Sequence, residues 1–150
     1  MVLSLYLILF ALPEQSFAGG SCGFTAISPV AFGSYKQSTG PDTTSIGSIT
    51  VTCTNKFAAS SQFTLSLSRG SSGSYNQRTL KNGSRTLNYN LYIKASMSKS
   101  QIWGDGSGST EVVKKNASGV QTATVYGEID SGQSVAAGGY SDTIIITLDF

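Results

Sequence analysis

The chain has 150 residues, with 10 Lys and Arg against 8 Asp and Glu, no histidine, two cysteines and 17 glycines. Charged residues are 12% of it, about half the usual share, while Ser and Thr together number 40, so neutral hydroxyls carry its polarity, as in an exported β-rich protein. A formal charge of +2 excludes a nucleic-acid footprint, and the lack of histidine removes the commonest general base and metal ligand.

Val2 to Leu12 is an apolar run, followed by Pro13 and then by Ser16-Phe17-Ala18, small residues where a signal peptidase reads. The reading is a signal peptide over residues 1–18, cut after Ala18, and a single domain over 19–150. The apolar run is too short to cross a bilayer core of about 30 Å at about 1.5 Å per residue, so a membrane is involved only through export.

Next in chain order, Val30 and Phe32 mark a first strand. Ile49, Val51 and Cys53, then Phe63, Leu65 and Leu67, then Leu87, Tyr89, Leu91 and Ile93 alternate with Thr, Ser or Asn at a period of two, the signature of half-buried strands. Gly70 to Gly73, Asn82-Gly83, Gly104 to Gly108 and Gly138-Gly139 read as turns. Asp105 to Gly119 reads as a loop in which only Val112 and Val113 offer a short strand. Val125, Gly127 and Ile129 resume the alternation. A last strand runs to the final residue, with Ile144, Ile146, Leu148 and Phe150 on one face and Thr143, Ile145, Thr147 and Asp149 on the other. Short strands, frequent turns and almost no helical periodicity predict an all-β, immunoglobulin-like antiparallel sandwich, either complete or missing one strand.

The chemistry on offer is sparse. Cys22 and Cys53 are an even pair with no accompanying metal ligands, which in an exported chain favours a structural disulfide. Ser96-Met97-Ser98-Lys99 spells S-x-x-K, but it ends a strand pattern instead of opening a helix, so it reads as an exposed turn. Glu128 and Asp130 share the polar face of a strand and read as solvated carboxylates. Asp105 to Glu111 misses the spacing of a calcium loop, Lys114-Lys115 lacks aromatic neighbours, and Trp103 reads as packing rather than a sugar platform. No catalytic residue, metal or cofactor is expected.

Seven segments, taken together and in order, resemble the spore coat protein U domain family: Ala31-Phe32-Gly33-Ser34-Tyr35, Gly47 to Cys53, Arg78-Thr79-Leu80, Leu87 to Tyr92, Ile102-Trp103-Gly104-Asp105-Gly106, Val125-Tyr126-Gly127 and Ala137 to Thr143. The family includes subunits of archaic chaperone-usher pili. The resemblance implies a non-enzymatic structural subunit with a disulfide between its first two strands, which agrees with the reading of Cys22 and Cys53. It implies partners as well: a periplasmic pilus chaperone, an usher, and other pilus or coat subunits. The subunit would pass through the periplasm to the cell surface, and its open groove would be filled by a strand from the chaperone or a neighbour. The residues matching the family's groove-lining last strand are Ile144, Ile146, Leu148 and Phe150. Only Gly19, Gly20 and Ser21 would precede Cys22 after cleavage. A donor strand needs about 10 alternating positions, roughly 33 Å, so the chain is expected to accept a strand without donating one, as a tip or accessory subunit would. The alternative is a self-sufficient adhesin-like binding module whose loops touch a surface or glycan.

Overall fold

The computed structural model describes residues 6–8, 20–37, 39–54 and 61–150, the first three by their backbone alone. Among these residues the strands are β1 (Tyr6–Ile8), β2 (Cys22–Ser28), β3 (Thr43–Cys53), β4 (Gln62–Leu67), β5 (Arg78–Asn82), β6 (Arg85–Tyr92), β7 (Val113–Asn116), β8 (Gly119–Ile129) and β9 (Thr143–Asp149). They form a five-stranded sheet in the order β2-β3-β8-β6-β5 and a four-stranded sheet in the order β1-β9-β4-β7. Every pairing is antiparallel except β1 with β9, which is parallel. This is the expected immunoglobulin-like sandwich.

The alternation seen in the sequence places the core. Ile49, Val51, Leu87, Tyr89, Leu91, Val125 and Ile129 from one sheet meet Phe63, Leu65, Leu67, Ile144 and Ile146 from the other in a single buried cluster. The intervening Thr and Ser face outward, where Thr50 and Thr122 face each other across β3 and β8 with their hydroxyls 3.1 Å apart. That pairing suits β-branched side chains on a solvated sheet. Trp103 joins the two sheets: its backbone N–H donates to Leu91 O of β6, and its indole N–H donates to Leu65 O of β4. Its side chain is fully buried, as the packing reading requires.

Three expectations are corrected. Val30 and Phe32 are buried at 1% and 6% exposure, but they lie outside any strand. They fill the inner face of the five-stranded sheet at two glycines. A Cβ on Gly127 would come within 2.6 Å of Val30 and 2.8 Å of Phe32, and one on Gly47 within 2.6 Å of Ser28 O. The apolar pattern there marks a core plug, not a paired strand. The stretch read as a loop contains β7 and the start of β8. Lys114 and Lys115, expected in a loop, stand on β7 opposite Thr64 and Phe63. Small and polar residues in both strands hid the alternation. Finally, β9 stops at Asp149, and Phe150 is 46% exposed instead of continuing the inward row.

Beneath the turn at Gly70–Ser72 lies a buried polar network. The Arg78 guanidinium, wholly buried, donates to Ser68 O through Nε and Nη2, to Asn90 Oδ1 through Nη1 and to Trp103 O through Nη2. Asn90 in turn donates to the carbonyls of Tyr75 and Asn76. Nearby, Asp142 accepts the Tyr89 hydroxyl at 2.7 Å and the backbone N–H groups of Ser71 and Thr143. Among the described residues no buried side-chain polar atom lacks a partner, so the network stays within what an interior tolerates.

Candidate functional site

Thr143 to Asp149 form β9 because β-branched residues fill almost every position and alternate between the two faces of the sheet. Ile144 and Ile146 are buried at 0% and 1% exposure, Leu148 is half-buried against the core, and Ile145 is 40% exposed on the outer face. Of the four predicted groove residues, the structure therefore brings Ile144, Ile146 and Leu148 to the core and leaves Phe150 outside it.

One edge of β9 is satisfied by β4, in register from Thr64 opposite Asp149 to Leu67 opposite Ile146. Ser68 extends this side: its hydroxyl accepts from Ile145 N and its N–H donates to Ile145 O. The opposite edge carries β1, parallel, with Tyr6, Leu7 and Ile8 beside Thr143, Ile144 and Ile145. Past Ile145 no described strand continues along that edge. The predicted cleavage site, Ser16 to Ala18, lies outside the described residues.

The other sheet edges are blunted. β2 carries a bulge between Phe24 and Ala26. β5 is capped where Lys81 and Ser141 exchange two backbone hydrogen bonds. β7 is four residues long and bears Lys114 and Lys115. Bulges, short length and lysines are the devices that keep an edge from pairing with foreign strands. The β9 edge has none of them.

The remaining candidates resolve as structure or surface. Cys22 and Cys53 are bonded, with Cα atoms 4.0 Å apart at directly opposed positions of β2 and β3. Ser96 donates its hydroxyl to Gln101, and Lys99 is exposed in the following turn, so the two form no nucleophile and base pair. Asp105 is tied up by its own loop, accepting from the N–H and hydroxyl of Ser107, and these bonds hold its carboxyl below the usual range. Glu128 and Asp130 are joined by Asp42, which the sequence reading missed because it lies across the sheet, before β3. The three carboxylates lie within 4.8 Å of one another. Burial first, then the charges of Asp42 and Asp130, raise the Glu128 carboxyl. Beside it the Tyr92 hydroxyl, 3.4 Å from Glu128, is pushed up to about 12 by burial and then by the charge of Glu128.

The fold and the site define an all-β, immunoglobulin-like module tied by one disulfide, with an apolar segment added along its last strand. The chain belongs to the Spore Coat Protein U domain family, which matches residues 9–147. Its fold is similar to that of a chain in the crystal structure of the CsuC-CsuE chaperone-tip adhesion subunit pre-assembly complex from archaic chaperone-usher Csu pili of Acinetobacter baumannii, with a TM-score of 0.56 at 18% identity. That likeness covers 87% of this chain and 40% of the other. A chaperone-tip adhesin complex of CFA/I fimbriae biogenesis is more remote, with a TM-score of 0.44 at 17% identity over 71% of this chain and 35% of that one. No curated protein sequence matches significantly.

Proposed function

We propose that this protein is a non-enzymatic structural subunit of a surface pilus or coat, assembled by adding a partner's strand along β9. The observation that carries the reading is the unblunted β9 edge, on which the chain's own apolar β1 lies. Without β1, that edge, flanked by Ile144, Ile146 and Leu148, presents unpaired backbone groups together with apolar side chains, and strand addition satisfies both at once. Family membership supports a structural role. The Csu complex, a chaperone with a tip adhesion subunit, supports a periplasmic chaperone as the first partner, followed by an usher and other subunits. If export removes residues 1–18, β1 leaves with them, the edge opens, and only Gly19 to Ser21 remain ahead of Cys22. Such a subunit accepts a strand without donating one, which suits a tip or accessory position.

The test is to produce residues 19–150 in an oxidising periplasm, alone and with a candidate chaperone from the same gene neighbourhood. Solubility, oligomeric state and amide exchange of β9 are the readouts. The expected result is a soluble one-to-one complex in which β9 is protected, and an aggregating or unprotected chain without the chaperone. A well-protected monomer made alone would overturn strand addition and leave a self-sufficient binding module.

A further inference from the structure

The turn that follows Arg69 and the loop over residues 105–110 enclose a surface cleft of about 280 Å³, lined among others by Arg69, Tyr75, Asn76, Ser107, Ser109 and Thr110. This is near the lower end of the roughly 300–1,000 Å³ usual for small-molecule sites, room for one ring-sized group. Two guanidiniums lie over the Tyr75 ring, that of Arg69 at 5.0 Å from its centre and that of Arg78 at 5.3 Å. They differ in what their donors meet. Arg78 is buried with four hydrogen bonds to Ser68, Asn90 and Trp103. Arg69 is exposed, and among the described residues its guanidinium has neither a hydrogen-bond acceptor nor a carboxylate partner. A guanidinium laid against an aromatic ring has already lost much of its rotamer freedom, so its planar fork is set for a carboxylate.

The rest of the lining narrows the ligand. Ser109 offers a hydroxyl, Ser107 a hydroxyl oxygen whose own proton goes to Asp105, and Asn76 an amide, while the Thr110 hydroxyl is spent on Ser107 O and Gly106 N–H and large aliphatic side chains are absent from the lining. Asp105, beside Tyr75, offsets one of the two guanidinium charges, which suits a monoanion rich in hydroxyls better than a dianionic phosphate. We propose that this cleft binds a carboxylate-bearing sugar ring, its carboxylate on the Arg69 guanidinium and its hydroxyls on Asn76, Ser107 and Ser109. No residue of β9 lines the cleft, so the inference is independent of strand addition.

The experiment is an NMR titration of the isotope-labelled full chain with trigalacturonate, with its methyl ester, and with acetate. Saturable shifts confined to residues 69–76 and 105–110, with trigalacturonate binding at least about tenfold more tightly than the ester or acetate, are expected. Arg69→Ala should remove that tenfold preference, and Arg69→Lys should lose most of it, since an ammonium lacks the fork. Amide spectra of both variants report that the fold is kept. The proposal is overturned if trigalacturonate causes no shifts at the cleft, if the ester or acetate binds equally well, or if a folded Arg69→Ala chain binds unchanged.

Discussion

Arg78 shows how one buried side chain can hold a whole corner of the sandwich. Taking a guanidinium out of water is costly, and burial lowers its pKa, yet three oxygens from different elements and the face of the Tyr75 ring compensate it. Arg78→Ala strips donors from Ser68 O, Asn90 Oδ1 and Trp103 O at once. The expected loss is about 3–5 kcal/mol, read from the urea midpoint of the folded chain or of its chaperone complex. Glu128 works in the opposite direction. Its folded pKa is raised, so the native state holds this proton more tightly than the unfolded chain does. Its contribution favours the fold below the unfolded carboxyl pKa and is lost as pH rises through the folded one. At neutral pH the ionised Glu128 is therefore a net cost beside Asp42 and Asp130. Glu128→Gln should stabilise near pH 7 by less than about 1 kcal/mol, because solvent screens a half-exposed group, and should change little near pH 3. Paired urea titrations at the two pH values check it, and an equal effect at both would show that the carboxylate repulsion is not the cause.

Among the elements, what could be read in advance followed the size of the alternating side chains. β4, β6 and β9 announce themselves because Phe63, Leu65, Leu67, Leu87, Leu91, Ile144 and Ile146 are large and recur every second residue. β7 and the first half of β8 carry Lys, Asn, Thr, Gln and Ala, and their pairing is set by neighbours in space, which no local pattern reveals. The same limit applies to the site. The inward positions Ile144, Ile146 and Leu148 of β9 were legible and Phe150 was not, nor was β1 lying beside the strand, since Tyr6 to Ile8 belong to an unbroken apolar run whose register is fixed only by the edge it meets. The clearest consequence of tertiary packing at this scale is Gly127, near the end of β8 with Val30 and Phe32 against it. Gly127→Ala should cost about 1–3 kcal/mol by overpacking. The rigid neighbours in β3 leave the plug formed by Val30 and Phe32 to move, so the loss should appear as faster amide exchange across β2 and β3. A neutral substitution would mean that the plug shifts freely.

Over the whole molecule, stability rests on a sandwich with an edge strand at each end of the larger sheet, and the disulfide is placed where that arrangement is weakest. β2 is bonded to the fold on one side only, through β3, and its ladder is interrupted by the bulge between Phe24 and Ala26. Cys22 and Cys53 clamp the start of β2 to the end of β3 across a separation of 31 residues. In the chain-entropy account, closing a loop of that length stabilises by about 3–4 kcal/mol, a large part of the roughly 5–15 kcal/mol typical of a domain. The Cys22→Ser, Cys53→Ser double variant should therefore lose about 3–4 kcal/mol in urea unfolding. Exchange should accelerate first in β2, then in the β3 residues paired with it, while the protection that β4 gives to β9 persists until global unfolding. If the proposed acceptor edge at β9 and the clamp are independent, as their positions on different sheets imply, a double variant of a chain that accepts a partner strand should still be captured at β9. Loss of capture in a chain that remains folded would show instead that the two sheets respond as one unit, with the clamp on β2 setting the shape of the edge at β9.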